Sequence, residues 1–165
     1  MNTLLIGNVI AFIGCMIMVY IGFLKKKNQI LVAQSVQCLF MGLGNLILGG
    51  VSGFICNMVT ILRNFVFVRK EPTLFLKIFF IAFQFLLSLG SLKAGAISWL
   101  PILAAALFTW FLDTKSAAKL KIVILCTQVM WLIYDLYYRN YVGSAFDVMT
   151  MVSNVIGFFM VKKDK

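Results

Sequence analysis

The residue pattern predicts an all-α membrane protein. It should have seven transmembrane helices, arranged as two parallel three-helix bundles joined by a linker helix, with the N-terminus outside and the C-terminus in the cytoplasm. Three observations lead there. The 165 residues are 62% hydrophobic with a mean hydropathy of +1.01, well above the roughly half-apolar composition of a soluble domain. Breakers and charges divide the chain into seven apolar runs, each near the roughly 20 residues that cross a hydrocarbon core. A set of polar residues in the third run recurs in the seventh, ninety positions later.

The first run, 4–24, follows Met1-Asn2-Thr3, which is not a basic n-region, and no A-x-A-like site follows it, so it reads as a retained helix. Gly7, Ala11 and Gly14 give it a small-residue stripe for close packing. Lys25-Lys26-Lys27 ends it. The second run, 29–48, carries Gln34, Gln37 and Asn45 on one stripe with Cys38 and Met41, and stops at Gly49-Gly50. The third, 51–68, carries Asn57, Thr60 and Asn64 at spacings of three and four, hence on one helical face. The segment from Arg69 to Pro72 closes it. The fourth run, 73–90, ends at Ser91 to Gly95. The fifth, 96–112, has Trp99 and Trp110 near its two ends and Pro101 in its second turn. That proline either starts the helix cleanly or gives a flexible point for gating. After Asp113 to Ala118 comes the sixth run, 119–138, with Gln128, Trp131 and Asp135 on one stripe. After Arg139-Asn140 comes the seventh, 141–161, with Asp147, Thr150 and Asn154.

Charge orients the runs. Lys25, Lys26, Lys27, Arg69, Lys70, Lys77, Lys115, Lys119, Lys121, Lys162, Lys163 and Lys165 fall on one side of the alternation, and only Lys93 and Arg139 on the other. Twelve against two places the basic side in the cytoplasm. The same residues explain the net charge of +10 without nucleic acid, for which no basic-aromatic module is present. They favour anionic lipid at the cytoplasmic face of the bilayer.

The offset of ninety pairs Asn57 with Asp147, Thr60 with Thr150, Asn64 with Asn154, Gly53 with Gly143 and Asn45 with Asp135. Runs 1–3 then correspond to runs 5–7, the first pair by order and length alone. A second copy in the same orientation needs one extra crossing, which run 4 supplies. The divisions expected are 1–70, a first bundle; 71–92, a linker helix; and 93–165, a second bundle.

Polar side chains are costly in hydrocarbon, so a face repeated in two helices lines a cavity or glues a packed bundle. Asp135 and Asp147 are the two acidic residues well inside the runs. A carboxyl there is costly to ionise, making both candidates for proton or cation coupling; alternatively Asp135 pairs with Arg139 one turn on. Arg63 either snorkels to the cytoplasmic interface or stands as a fixed charge at the inner end of a cavity. Trp131, Tyr134, Tyr137, Tyr138 and Tyr141 form an interfacial belt or a stacking wall. Helical phase places Trp131 and Tyr138 on the side of Asp135. Cys15, Cys38, Cys56 and Cys126 lie in apolar runs without C-x-x-C spacing, and the chain has no His. No metal and no cofactor is expected. With no H-E-x-x-H, G-x-S-x-G or P-loop, neither is enzymatic activity.

Trp99-Leu100-Pro101, Phe108-Thr109-Trp110, Trp131-Leu132-Ile133, Gly143, Asp147 and Asn154 resemble the YgjV family of bacterial inner-membrane proteins, most clearly from Trp99 to Val161. That family is distantly similar to the SWEET, PQ-loop and PnuC group of small-solute transporters. The resemblance implies two three-helix bundles joined by a linker helix. It also implies substrate contact by Asn residues on the third helix of each bundle, a role matched here by Asn64 and Asn154, with Asn57 and Asp147 nearby. The chain departs from that group in having no Pro-Gln pair and in Pro101 being the one bundle proline left for gating.

The expected function is transport of a small polar solute across the inner membrane by rocking of the two bundles around a central site. Substrate binding falls to Asn57, Asn64, Asn154, Asp147, Thr60, Thr150, Trp131 and Tyr138. The alternative is a non-transporting accessory or scaffold protein with a packed polar core. A void between the bundles, on the order of a small-molecule site, separates the two. The substrate is not named by these residues, and a homo-oligomer is left open.

Overall fold

The computed structural model describes residues 2–21, 27–114 and 117–163. Lys25, Lys26, Lys115 and Lys165, which carry part of the charge bias, lie outside the described residues. Seven α-helices follow in order: α1 (Thr3–Ile21), α2 (Lys27–Ile47), α3 (Val51–Arg69), α4 (Leu74–Ser88), α5 (Trp99–Phe111), α6 (Ala117–Tyr137) and α7 (Tyr141–Lys163). Among the described residues there is no strand. The seven apolar runs thus all become helices, with the largest boundary differences at the α4–α5 junction.

That junction departs from the expected two helices with a loop between. Two 3-10 helices, Leu89–Ala94 and Ala96–Ser98, fill it, separated by Gly95 at φ 97°, a conformation open to glycine. α5 therefore begins later than the apolar run, and Pro101 is its third residue rather than lying in a second turn. In the first turn its missing N–H has no intrahelical partner to lose.

Packing order is a ring. α1 packs on α2, α2 on α3, α3 on α5, α5 on α6, α6 on α7, and α7 back on α1. α4 stands outside the ring, against α3 and α5. Small residues let α1 and α2 approach closely: a side-chain carbon on Gly44 of α2 would lie 3.0 Å from the Gly7 carbonyl oxygen of α1, and one on Gly14 would meet Met41 and the Gln37 carbonyl. The outer faces are apolar, with Leu5, Phe12, Leu62, Phe75, Leu86 and Val152 exposed.

α4 is attached by a polar stripe as well as by apolar packing. Phe80 joins Phe67, Val59 and Leu31 in a buried cluster, with Phe67 and Phe80 edge to face at 5.8 Å. Gln84 donates to the Ile102 carbonyl at 3.4 Å, and Lys77 donates to the Trp110 carbonyl at 3.1 Å and pairs with Asp113. The ammonium beside Asp113, just past the end of α5, holds its carboxyl below the usual carboxylate range.

At one end of the ring α2 and α6 finish and α3 and α7 begin. Both turns have the same backbone. Gly49 (φ 89°) and Arg139 (φ 58°) take the left-handed conformation that ends a helix. The next N–H reaches back five residues in each, from Gly50 to the Asn45 carbonyl at 2.7 Å and from Asn140 to the Asp135 carbonyl at 2.8 Å. The other end carries Arg69, Lys70, Lys77 and Lys119 and is called here the basic end.

Candidate functional site

The ring surrounds a partly open cavity of about 310 Å³ lined from all six of its helices and not from α4. α1 contributes Cys15 and Met18; α2, Gln34, Gln37, Cys38, Met41 and Asn45; α3, Asn57, Thr60 and Arg63. Opposite them stand Phe108 of α5, Gln128, Trp131 and Asp135 of α6, and Gly143, Phe146, Asp147, Thr150 and Asn154 of α7. The polar stripes of α2, α3, α6 and α7 thus turn inward, as their helical spacing requires once each outer face is apolar.

The residues singled out from sequence fall into two groups. Asn57, Thr60, Asp147, Thr150, Asn154, Trp131 and Asp135 line the cavity. Asn57 donates to the Gly53 carbonyl and Asn154 to the Thr150 carbonyl, both at 2.9 Å, so each amide is held along its own helix and its oxygen remains available. Asn64 and Tyr138 are not in the lining. Asn64 lies behind it, accepting from the Arg63 Nη2 at 3.1 Å and donating to Gln34 at 3.1 Å. Its amide oxygen is bonded to the guanidinium. Tyr138 lies beyond the end of α6, where helical phase no longer predicts direction, and its ring packs on Tyr134 at 4.8 Å. Pro101 is buried in α5 and is likewise outside the lining.

Arg63 does not snorkel. It is 3% exposed and turned into the cavity, its guanidinium carbon 5.5 Å from the centre of the Phe108 ring. Nη1 donates to the Thr109 hydroxyl at 2.9 Å. Among the described residues its hydrogen-bond partners are a hydroxyl and an amide, with no carboxylate.

Asp135 does not pair with Arg139. Its partner is Asn140, whose Nδ2 lies 3.1 Å from Oδ2. Oδ1 of Asp135 and Oδ2 of Asp147 are buried without a hydrogen-bond partner among the described residues. A buried acceptor left unpaired is costly, so both oxygens are positions where an incoming donor is favoured.

Three groups at the turn end escaped sequence reading. Tyr134, read with its neighbours as a belt or a stacking wall, is fully buried, and its hydroxyl accepts from the Gly53 N–H at 2.8 Å and lies 3.1 Å from the Ser52 hydroxyl. Asn140, read as punctuation, caps α7 through the Gly143 N–H at 3.0 Å and donates to Asn45 at 3.2 Å. Asn8 donates to the Arg139 carbonyl at 3.0 Å and accepts from the Val142 N–H at 3.1 Å. All three tie residues 1–70 to residues 93–165. The signal available was the glycine pair: a side chain at Gly53 would strike Tyr134, and one at Gly143 would strike Asp135 and Asn140.

Among the described residues two helices, Val51–Arg69 and α4 extended through Ser91, are long and apolar enough to cross a membrane by length and composition, and four further apolar stretches are shorter. No curated protein and no solved structure matches the chain. A family model does, over residues 5–165, and its description is "bacterial inner membrane protein". With nearly its whole length matched, and with a helical fold whose outer face is apolar, the chain belongs to the Imp-YgjV family of bacterial inner membrane proteins.

Proposed function

We propose that the chain is a multi-pass transporter of a small polar solute, non-enzymatic, with residues 1–70 and 93–165 as two parallel bundles and 71–92 as the linker between them. The observation that carries this reading is a polar cavity to which both bundles contribute equivalent positions: Asn57 and Thr60 on α3, Asp147 and Thr150 on α7. A scaffold with a packed polar core has no use for a void of about 310 Å³. The two-fold correspondence of the turns at Gly49-Gly50 and Arg139-Asn140 supports parallel repeats related by an axis along the membrane normal.

With the basic end in the cytoplasm against anionic lipid, the turn end faces outside. Tyr134, Asn140 and Asn8 then tie the bundles on the outer side, and rocking exchanges those ties for contacts at the basic end. Asn57, Thr60, Thr150 and Asn154 bind the solute, Trp131 flanks it, and Asp147 and Asp135 supply the charge. Asn64 acts through Arg63.

The test is uptake into right-side-out vesicles. Asp147→Asn and Asn154→Ala should each lower uptake of an identified solute by about tenfold or more, the effect of one lost hydrogen bond to a charged or buried group. Unchanged uptake in both variants removes the site from this cavity.

A further inference from the structure

The cavity holds a guanidinium and two carboxyl groups that do not meet it. Arg63 lies on its wall with a hydroxyl, an amide and a ring for company. Among the described residues three of the five guanidinium N–H donors are used, leaving two for a ligand. Asp147, 7% exposed, and Asp135, 1% exposed, each keep a buried oxygen without a partner on the same cavity.

The two kinds of group stand at different depths. Gly53 and Gly143 both start at the turn end, where Asn45 lies beside Gly53 and hydrogen bonds to Asn140, which caps Gly143. Arg63 follows Gly53 by ten residues and Asp147 follows Gly143 by four. The difference of six residues is roughly 9 Å along the helix axis at about 1.5 Å per residue. The cation is therefore toward the basic end and the carboxyl groups toward the turn end of one small chamber. A solute without an anionic group leaves the guanidinium uncompensated. One without a strong donor leaves the unpartnered oxygens of Asp147 and Asp135 unmet, and an ammonium matches the single negative charge of two carboxyls that share one proton.

Resting on the reading of this cavity as a solute site, we propose that its ligand is an amino-acid-like zwitterion, its ammonium group at Asp147 and Asp135 and its carboxylate at Arg63. Each end is then met by charge-assisted hydrogen bonds. Trp131, Phe108 and Phe146 line the same cavity and offer apolar surface for the rest of the solute. Asn64 and Thr109 hold the guanidinium fork in place before the ligand arrives.

Thermal shift on the purified full-length protein tests this with four solute sets: the twenty standard amino acids with γ-aminobutyrate, their amides, their N-acetyl derivatives, and neutral sugars and nucleosides. At least one amino acid should stabilise the wild type saturably. Its amide, lacking the anion, and its N-acetyl form, lacking the cation, should each bind about tenfold more weakly or worse. Arg63→Gln should erase the preference over the amide, and Asp147→Asn the preference over the N-acetyl form. That crossed loss of selectivity is not produced by a merely structural role. If either variant does not fold, the wild-type series still decides: equal binding of an amino acid and its two derivatives overturns the proposal. Stabilisation by sugars or nucleosides and by no amino acid overturns it while leaving the transport reading intact. If no solute of any set binds, and proteoliposomes take none up, the transport reading itself falls and this one with it.

Discussion

Arg139 and Gly49 do the same backbone work with different residues. Both sit at positive φ, at 58° and 89°, as the residue that closes a helix. An L side chain there costs about 1 kcal/mol, which glycine does not incur. Arg139→Gly should therefore raise the melting temperature, by the equivalent of up to about 1 kcal/mol, in a thermal unfolding comparison in detergent. The neighbouring Tyr134 behaves in the opposite sense. Its hydroxyl satisfies the Gly53 N–H at the start of α3, so Tyr134→Phe leaves a buried donor unmet. That should cost about 1–3 kcal/mol, seen as a lower melting temperature with little change in the apolar packing of the ring.

The elements are held by two kinds of contact. Glycines let α1 and α2 approach so closely that a side chain at Gly44 would collide with the α1 backbone. Gly44→Leu should separate that seam and destabilise the protein more than a leucine at an exposed site such as Val36 or Val51, measured by the yield of monodisperse protein and its melting temperature. α4 is held by the Lys77 stripe. Asp113 has a depressed pKa because Lys77 donates to it. A depressed folded-state value contributes stability that is present above the ordinary aspartate value and lost as the pH falls through the folded one. Lys77→Met should lower the melting temperature at neutral pH, and the gap to wild type should narrow in acid as Asp113 takes up its proton. A gap independent of pH assigns the loss to the Trp110 carbonyl instead.

At the scale of the whole molecule, the ring of six helices with α4 outside is what lets two polar stripes from each half share one chamber. The proposed orientation has a direct check. In a background where Cys126 is replaced by Ser, Ala96→Cys near the turn end should react with a membrane-impermeant maleimide added to intact spheroplasts, and Lys70→Cys at the basic end should react only after lysis. The reverse pattern inverts the topology and moves the Tyr134–Asn140 ties to the cytoplasmic side.

Helix number and the inward stripes were legible from residues alone, because apolar run length, breakers and a 3.6-residue period are local properties. The spacing of Asn57 and Thr60, and of Asp147, Thr150 and Asn154, requires a common face, and closing the ring only decides what that face meets. The 3-10 junction at Leu89–Ser98 was not legible, since Gly90, Ser91 and Gly95 mark a break in α-helix without specifying which tight geometry fills it. Nor was the fate of the residues at the ends of runs. Tyr138 leaves helical phase one residue after α6 ends, and Tyr134 becomes buried only because Gly53, on another helix, leaves it room. By itself, then, the sequence determined a helical, membrane-type chain with a polar face on four of its helices. Tertiary structure alone decided that Arg63 points into the cavity, that Asn64 stands behind it, and that Asp135 bonds to Asn140 and not Arg139. The physical reason is that a long or terminal polar side chain takes its direction from partners supplied by other helices, and those partners exist only once the ring has closed.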